Sequence, residues 1–306
     1  MKNSIVFIFA HRETDVWSTP LAIVNEFKRR EWDVRIASLF DDRDNYVDSN
    51  IETILELKPD IIMHMDWGRH LSPILSKLKN TGAYCVMEAG DDPQNFKRNS
   101  VKVPWFDLVL TPDKECVEKY KNIGAKDVLW WTHFADTQMY YPMNVEKKYV
   151  AVSSRGMHNG SSILDILAKQ YEGKVINQNG WVGKEHTKFL NSGEMVIQHA
   201  RWGEISRRIF EGAACGKLVL TDKLSKEKGL DSIFRDQTDI IYYTDLEDAA
   251  NKLVYYHNHP EEREQIAKSG MERVLKGHTQ IQRVDDIIER WQEWELLQQR
   301  QNWICQ

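Results

Sequence analysis

Gly203-Glu204-Ile205-Ser206-Arg207-Arg208-Ile209-Phe210-Glu211-Gly212-Ala213-Ala214-Cys215-Gly216-Lys217-Leu218-Val219-Leu220-Thr221-Asp222 reads as a loop, a helix, a glycine stop and a buried strand. Ile205, Ile209, Phe210, Ala213 and Ala214 fall on one helical face. Gly216 stands where a C′ glycine ends a helix, and Lys217 to Thr221 is an apolar run of strand length. The helix start is crowded with charge. A helix N-terminus attracts anions through its free N–H groups and its dipole. Arg207 and Arg208 add cations able to bond phosphate oxygens in pairs, while Glu211, one turn in, is acceptor-only and suits a ribose diol. Arginine for diphosphate and carboxylate for ribose is the chemistry of holding a nucleoside diphosphate.

The stretch resembles the donor-site segment of GT-B glycosyltransferases of the group 1 set, most of all the CgeB-like spore-protein branch. There a segment of the type Ser-x-Arg-x-Phe-Glu-x-x-Ala-x-Gly recurs, matched here by Ser206, Arg208, Phe210, Glu211, Ala214 and Gly216. Glu204 and Glu211 lie seven positions apart, one short of the spacing between the two glutamates of the wider set, so the role of Glu204 is left open. The resemblance is good over roughly Tyr149 to Ile288 and weak before it. It implies two facing Rossmann-like domains, with a nucleotide-diphosphate sugar held by the C-terminal domain and an acceptor by the N-terminal one, across a cleft.

Working outward, strand and helix signals alternate on both sides. Towards the N-terminus the expected strands are Ser4–Ala10, Asp33–Leu39, Asp60–Met65, Gly82–Met87, Asp107–Thr111 and Val128–Trp131. Nearer the opening stretch they are Tyr149–Ser153, Gly173–Asn177, Glu194–Gln198 and, beyond it, Asp239–Tyr243. The strands are apolar throughout, which argues for parallel α/β sheets buried on both faces. The domain boundary is expected near Pro142–Lys148: an acceptor-side domain over 1–145, a donor domain over 146–280, and a C-terminal helix over 281–306 at the junction.

Two further positions follow strands of the donor half. Arg155, after the strand ending at Ser153, matches a place where related transferases carry a basic residue against the diphosphate. Trp181, after the next strand, is a candidate platform for the nucleobase, with packing as the alternative. In the first half, strand ends carry acids and a histidine. Asp91 and Asp92 stand before Pro93, and Asp66 and His11 follow neighbouring strands. These four are the candidates for managing the acceptor proton, since ligands of open α/β sheets gather at C-terminal strand ends. A residue before proline is biased to extended backbone, which gives two readings of Asp92, an outward side chain or an Asx turn that starts the next loop. One of the two aspartates is expected to face substrate and the other to cap the turn. His278-Thr279 and Arg283 are read as a helix start and packing feature.

The chain has 306 residues, 42% hydrophobic, with a net charge of −5, so no global basic field draws it to nucleic acid or to anionic membrane. Four cysteines without paired spacing read as reduced thiols, and no run is apolar enough for a membrane span, so a cytoplasmic protein is expected. There is no Gly-x-Gly-x-x-Gly after the first strand and no phosphate-loop lysine motif, which argues against a dinucleotide dehydrogenase. No cofactor and no metal are expected, the donor sugar nucleotide being a substrate. Base, sugar and acceptor stay open, the acceptor being a protein, glycan, small molecule or modified nucleic acid. Two other readings also remain: a nucleotide-sugar epimerase of similar fold, and a non-catalytic coat or surface protein that kept the fold.

Overall fold

A computed structural model describes residues 2–9, 19–38, 56–65, 78, 80–154, 163–200 and 202–304. The chain forms two compact units, residues 1–132 with 281–306, and residues 133–280. The division falls before the expected 142–148 boundary because 133–148 is tied to the second unit. Ala135 N donates to the His278 carbonyl, Met143 N to Asn191 Oδ1 and Lys147 Nζ to the Asn191 carbonyl.

Unit 1 is built on β1 (Ser4–Phe9), β2 (Asp33–Ser38), β3 (Ile61–Met65), β4 (Tyr84–Glu88), β5 (Leu108–Thr111) and β6 (Val128–Trp130). They pair in the order β2-β1-β3-β4-β5-β6, and every pairing is parallel. The continuous apolar runs follow from this, because a central parallel strand is covered on both faces: β3, β4 and β5 are buried at every position. Helices α1 (Thr19–Arg29) and α2 (Lys114–Asn122) lie on the sequence between strands, and Asp113 caps α2 by accepting from Glu115 N. The C-terminal helix begins at Gln280 and packs into unit 1 from Ile281 onwards. Trp291 meets Trp32 edge-on at 5.3 Å, Trp294 meets Tyr84 at 5.3 Å, and Asp285 pairs with Arg30 at 2.6 Å. Arg283 anchors this helix, donating to the Thr132 carbonyl and hydroxyl.

Unit 2 carries β7 (Tyr149–Ser154), β8 (Val175–Gln178), β9 (Gly193–Gln198), β10 (Leu218–Asp222) and β11 (Ile241–Tyr243), in the order β11-β10-β9-β7-β8, again all parallel. Its helices are α3 (Ile163–Gln170), α4 (Gly183–Ser192), α5 (Arg207–Ala214), α6 (Leu246–Asn258) and α7 (Pro260–Gly277). The chain leaves β7 to one side for β8, then crosses to the other side for β9. The β7/β9 boundary is therefore a topological switch point, where an open α/β sheet forms its ligand crevice.

The opening stretch folds as its pattern predicts. Ile205, Ile209, Phe210, Ala213 and Ala214 are all buried, with Phe210 packed on Phe234 and His278. Gly212 lets α5 settle on β9, since a Cβ there would stand 3.0 Å from the Val196 side chain. Gly216 ends the helix at φ +67°, with its N–H on Ala213 O and Lys217 N on Gly212 O.

Among the described residues no helix is long and apolar enough to cross a membrane. Cys85, Cys116 and Cys215 are buried free thiols. Cys305 lies outside the described residues.

Candidate functional site

The N-terminus of α5 stands at the C-terminal edge of the unit 2 sheet. Ser206 is its N-cap, in extended backbone, and its side chain accepts from Arg208 N at 3.3 Å. Such a cap contributes about 1 kcal/mol to the helix. Arg208 then reaches across the switch point, and its Nε donates to Ser154 Oγ at the end of β7, at 3.0 Å. The sequence separation is 54 residues, so only the β9-next-to-β7 order brings them together. Burial lowers the pKa of the Arg208 guanidinium, and Glu211 opposes that drop. A partly desolvated cation fixed by one hydroxyl is poised to take up an anion.

Arg207 and Glu211 form an ion pair one helical turn apart, Nε to Oε1 at 2.7 Å. Glu211 is 2% exposed, and its Oε1 makes this charge contact without an aligned hydrogen bond. Burial works against ionisation, but Arg207, with smaller contributions from His186 and Arg208, more than offsets it and holds the carboxyl below the usual glutamate range. The two groups assigned to diphosphate and ribose are thus paired with each other in the free protein.

Two residues beside this pair carry no periodic or motif signal in the sequence. The Tyr140 hydroxyl meets His186 Nδ1 at 3.0 Å, edge to face, and both are buried. Burial, with Glu211 next in size, raises the Tyr140 pKa, so the phenol stays protonated. Burial lowers the pKa of His186, whose Nε2 is buried without a hydrogen-bond partner among the described residues. Tyr140 lies in the irregular segment before β7, and its distance from α5 in sequence hid it.

The remaining donor-side candidates are more scattered. Glu204 Oε2 accepts from Trp202 N at 2.7 Å, a bond that shapes the loop before Ser206. Trp181 stacks on Phe189 at 4.9 Å and 12°, which engages one ring face in packing within unit 2. Arg155 lies outside the described residues, as do Asp66 and His11.

On unit 1 the two aspartates differ in exposure. Asp92 is 4% exposed and turned inward, accepting from Asn99 Nδ2 at 3.1 Å and Thr111 Oγ1 at 2.8 Å. These bonds hold the side chain inward, against the outward reading of the sequence. Asp91 is exposed, at φ +57°. Burial pushes the Asp92 pKa up to about 6, against the pull of its hydrogen bonds from Thr111 and Asn99.

A carboxyl whose folded pKa is raised contributes stability in full below its unfolded value and loses it as pH rises through the folded one. Between about pH 4 and 6 Asp92 therefore costs unit 1 about 2–3 kcal/mol. Asp92→Asn removes that cost, because the amide can accept from Asn99 and donate to Thr111 Oγ1. Urea unfolding of the full chain should show the variant more stable than wild type at pH 7.5 and equal to it at pH 4. Equal stability at both would mean that folding leaves the Asp92 pKa at its ordinary value.

Among the described residues no group of three or more His, Cys, Asp or Glu side chains is placed to hold a metal ion. His257 and His259 are exposed at the end of α6, where His257 Nδ1 meets Glu194 and His259 meets the Tyr255 carbonyl.

Residues 152–289, less than half of the chain, match the family described as "Glycosyl transferase-like". No curated protein matches the chain. Solved structures similar to it include Anabaena HepE in complex with UDP-glucose, at 12% identity and TM-score 0.68 over 95% of this chain and 99% of that one. A sucrose-phosphate synthase from Thermosynechococcus elongatus is similar at 11% identity and TM-score 0.70, over 97% and 100%. A glycosyltransferase from Rickettsia africae is similar at 14% and 0.66, over 95% and 98%. At these identities the likeness shows the fold, which is GT-B with two Rossmann-like parallel-sheet domains.

Proposed function

We propose that the chain is a glycosyltransferase that takes a sugar from a nucleotide-diphosphate sugar held by unit 2. The observation that carries this is the pairing of Arg208 with Ser154 across the β7/β9 switch point, at the capped N-terminus of α5. Two side-chain donors beside a helix N-terminus suit a diphosphate and support this reading. The family match over 152–289 covers this same constellation and supports the reading. The similar structures with UDP and UDP-glucose bound make a uridine nucleotide the first to try.

In this proposal the donor exchanges partners within α5. The diphosphate draws Arg207 away from Glu211, and the freed carboxylate accepts the ribose hydroxyls. Arg208 and the helix N–H groups then stabilise the charge that develops on the leaving diphosphate. On unit 1, Asp91 is the exposed carboxylate of its turn and is assigned to the acceptor hydroxyl. Asp92 supports that turn from beneath. Asp66, the residue after β3, and His11, two residues after β1 in the sequence, are further acceptor-side candidates.

The test is release of nucleoside diphosphate from UDP-glucose, GDP-mannose or ADP-glucose, with and without added acceptor mixtures. Transfer or slow hydrolysis supports the proposal. Conversion to an epimer without any acceptor requirement would identify an epimerase instead, and binding without turnover a retired fold. With charge neutralisation assigned to arginines and a helix end, activity should persist within about twofold in excess EDTA. Loss in EDTA with recovery in Mn²⁺ or Mg²⁺ would contradict that assignment.

A further inference from the structure

Beyond the diphosphate site, the strand ends of unit 2 hold a second group of side chains. We propose that His199, held by Tyr243 and Asp222, accepts a hydrogen bond from a hydroxyl of the transferred sugar. This rests on the preceding reading that α5 holds the diphosphate.

His199 is the first residue after β9 and opens the loop that runs to Ser206. Asp222 and Tyr243 are the last residues of β10 and β11. The strand order sets β9 between β7, which carries Ser154, and β10. His199 therefore stands at the same sheet edge as the Arg208–Ser154 contact, on the side away from β8.

The hydrogen bonds fix which ring nitrogen carries the proton. The Tyr243 hydroxyl donates to the Gln198 carbonyl at 2.7 Å, so its hydrogen is committed. Its oxygen is then the acceptor in the 3.2 Å contact with His199 Nδ1, and Nδ1 must be the protonated nitrogen. The Asp222 carboxylate, 3.7 Å from Nδ1, favours the same tautomer. Asp222 is itself held by Ala200 N at 2.7 Å, and Gln198 Nε2 bonds Thr221 Oγ1 at 3.2 Å, so the mount is fixed by three strands. In the neutral ring Nε2 is left with a lone pair, and it has no hydrogen-bond partner among the described residues. The side chain is 32% exposed, so the ring is anchored at one edge and reachable at the other.

A lone pair on an anchored ring selects its ligand by chemistry. Phosphate oxygens are acceptors at neutral pH and meet an acceptor nitrogen unfavourably. A sugar hydroxyl can donate to it. Burial of an oriented acceptor also discriminates well, because a ligand without the matching O–H leaves it unsatisfied.

The experiment is calorimetric titration of the full chain with matched pairs: UDP and UDP-glucose, GDP and GDP-mannose, ADP and ADP-glucose. The pair that binds wild type most tightly is then used on His199→Ala, His199→Gln and Tyr243→Phe. His199→Ala should weaken the sugar nucleotide about tenfold and leave the bare diphosphate within about twofold. His199→Gln, which restores an acceptor near the Nε2 position, should recover part of the loss. Tyr243→Phe, which keeps the ring packing but removes the Nδ1–H anchor, should show a smaller loss of the same kind. Equal weakening of both ligands, or of neither, would overturn the subsite while leaving the diphosphate site standing. If wild type binds none of the six ligands, the diphosphate reading itself fails and the sugar subsite falls with it.

Discussion

Arg208→Ala weakens nucleoside diphosphate binding by about 1.5–3 kcal/mol, roughly 10- to 150-fold, the range for losing a charged hydrogen bond. Arg208 spans from α5 to the end of β7, and its Nε is already committed to Ser154, which sets the guanidinium before any ligand arrives. Little ordering cost then remains to be met on binding, so its loss is felt in full. Lysine at the same position keeps the charge but not the fork and should recover only part of the affinity. Calorimetry on the folded variants is the check, with thermal unfolding as control. Unchanged affinity in a folded Arg208→Ala protein would remove α5 from the donor site.

Glu211→Gln has two expected effects of different origin. Removing the carboxylate takes the Glu211 ion pair away from Arg207, and breaking a buried ion pair costs about 3–5 kcal/mol. Because the Arg207 side chain is 31% exposed and can turn to water, the loss should sit at or below the lower end, about 2–3 kcal/mol. The carboxyl is held below its ordinary range, so its stabilising contribution is present above that range and disappears as pH falls through the folded value. Wild type and variant should therefore converge in stability in acid. In binding, the ribonucleotide should lose more than its 2′-deoxy analogue, since only the former presents the full diol. A variant that is less stable yet weakens both nucleotides equally would make Glu211 an anchor for Arg207 and nothing more.

Much of the fold was readable because buried parallel strands are short, apolar and evenly spaced. The runs ending at Ser154, Gln198 and Asp222 needed only hydrophobic patterning and flanking turns. The α5 segment was readable for a second reason: apolar face and glycine stop agree locally, and the structure keeps both. The unit boundary was harder, since Pro142 suggests a linker while the bonds that bind 133–148 to unit 2 are made to residues more than forty positions away. Asp92 is turned inward by partners that local sequence does not reveal: the bias before Pro93 concerns its backbone and says nothing of Asn99 and Thr111. Tyr140, His186, His199 and Tyr243 were invisible as site residues because each acquires its partner only through strand order or a returning loop.

The central claim is that unit 2 holds a nucleoside diphosphate at the N-terminus of α5. The most direct measurement is calorimetric titration of the full wild-type chain with UDP, GDP and ADP at neutral pH and low salt. Saturable binding of at least one of them is expected, with one site per chain, weakened by Arg208→Ala and independent of EDTA. Folded protein that binds none of the three, or binds one equally well with and without Arg208, would contradict it.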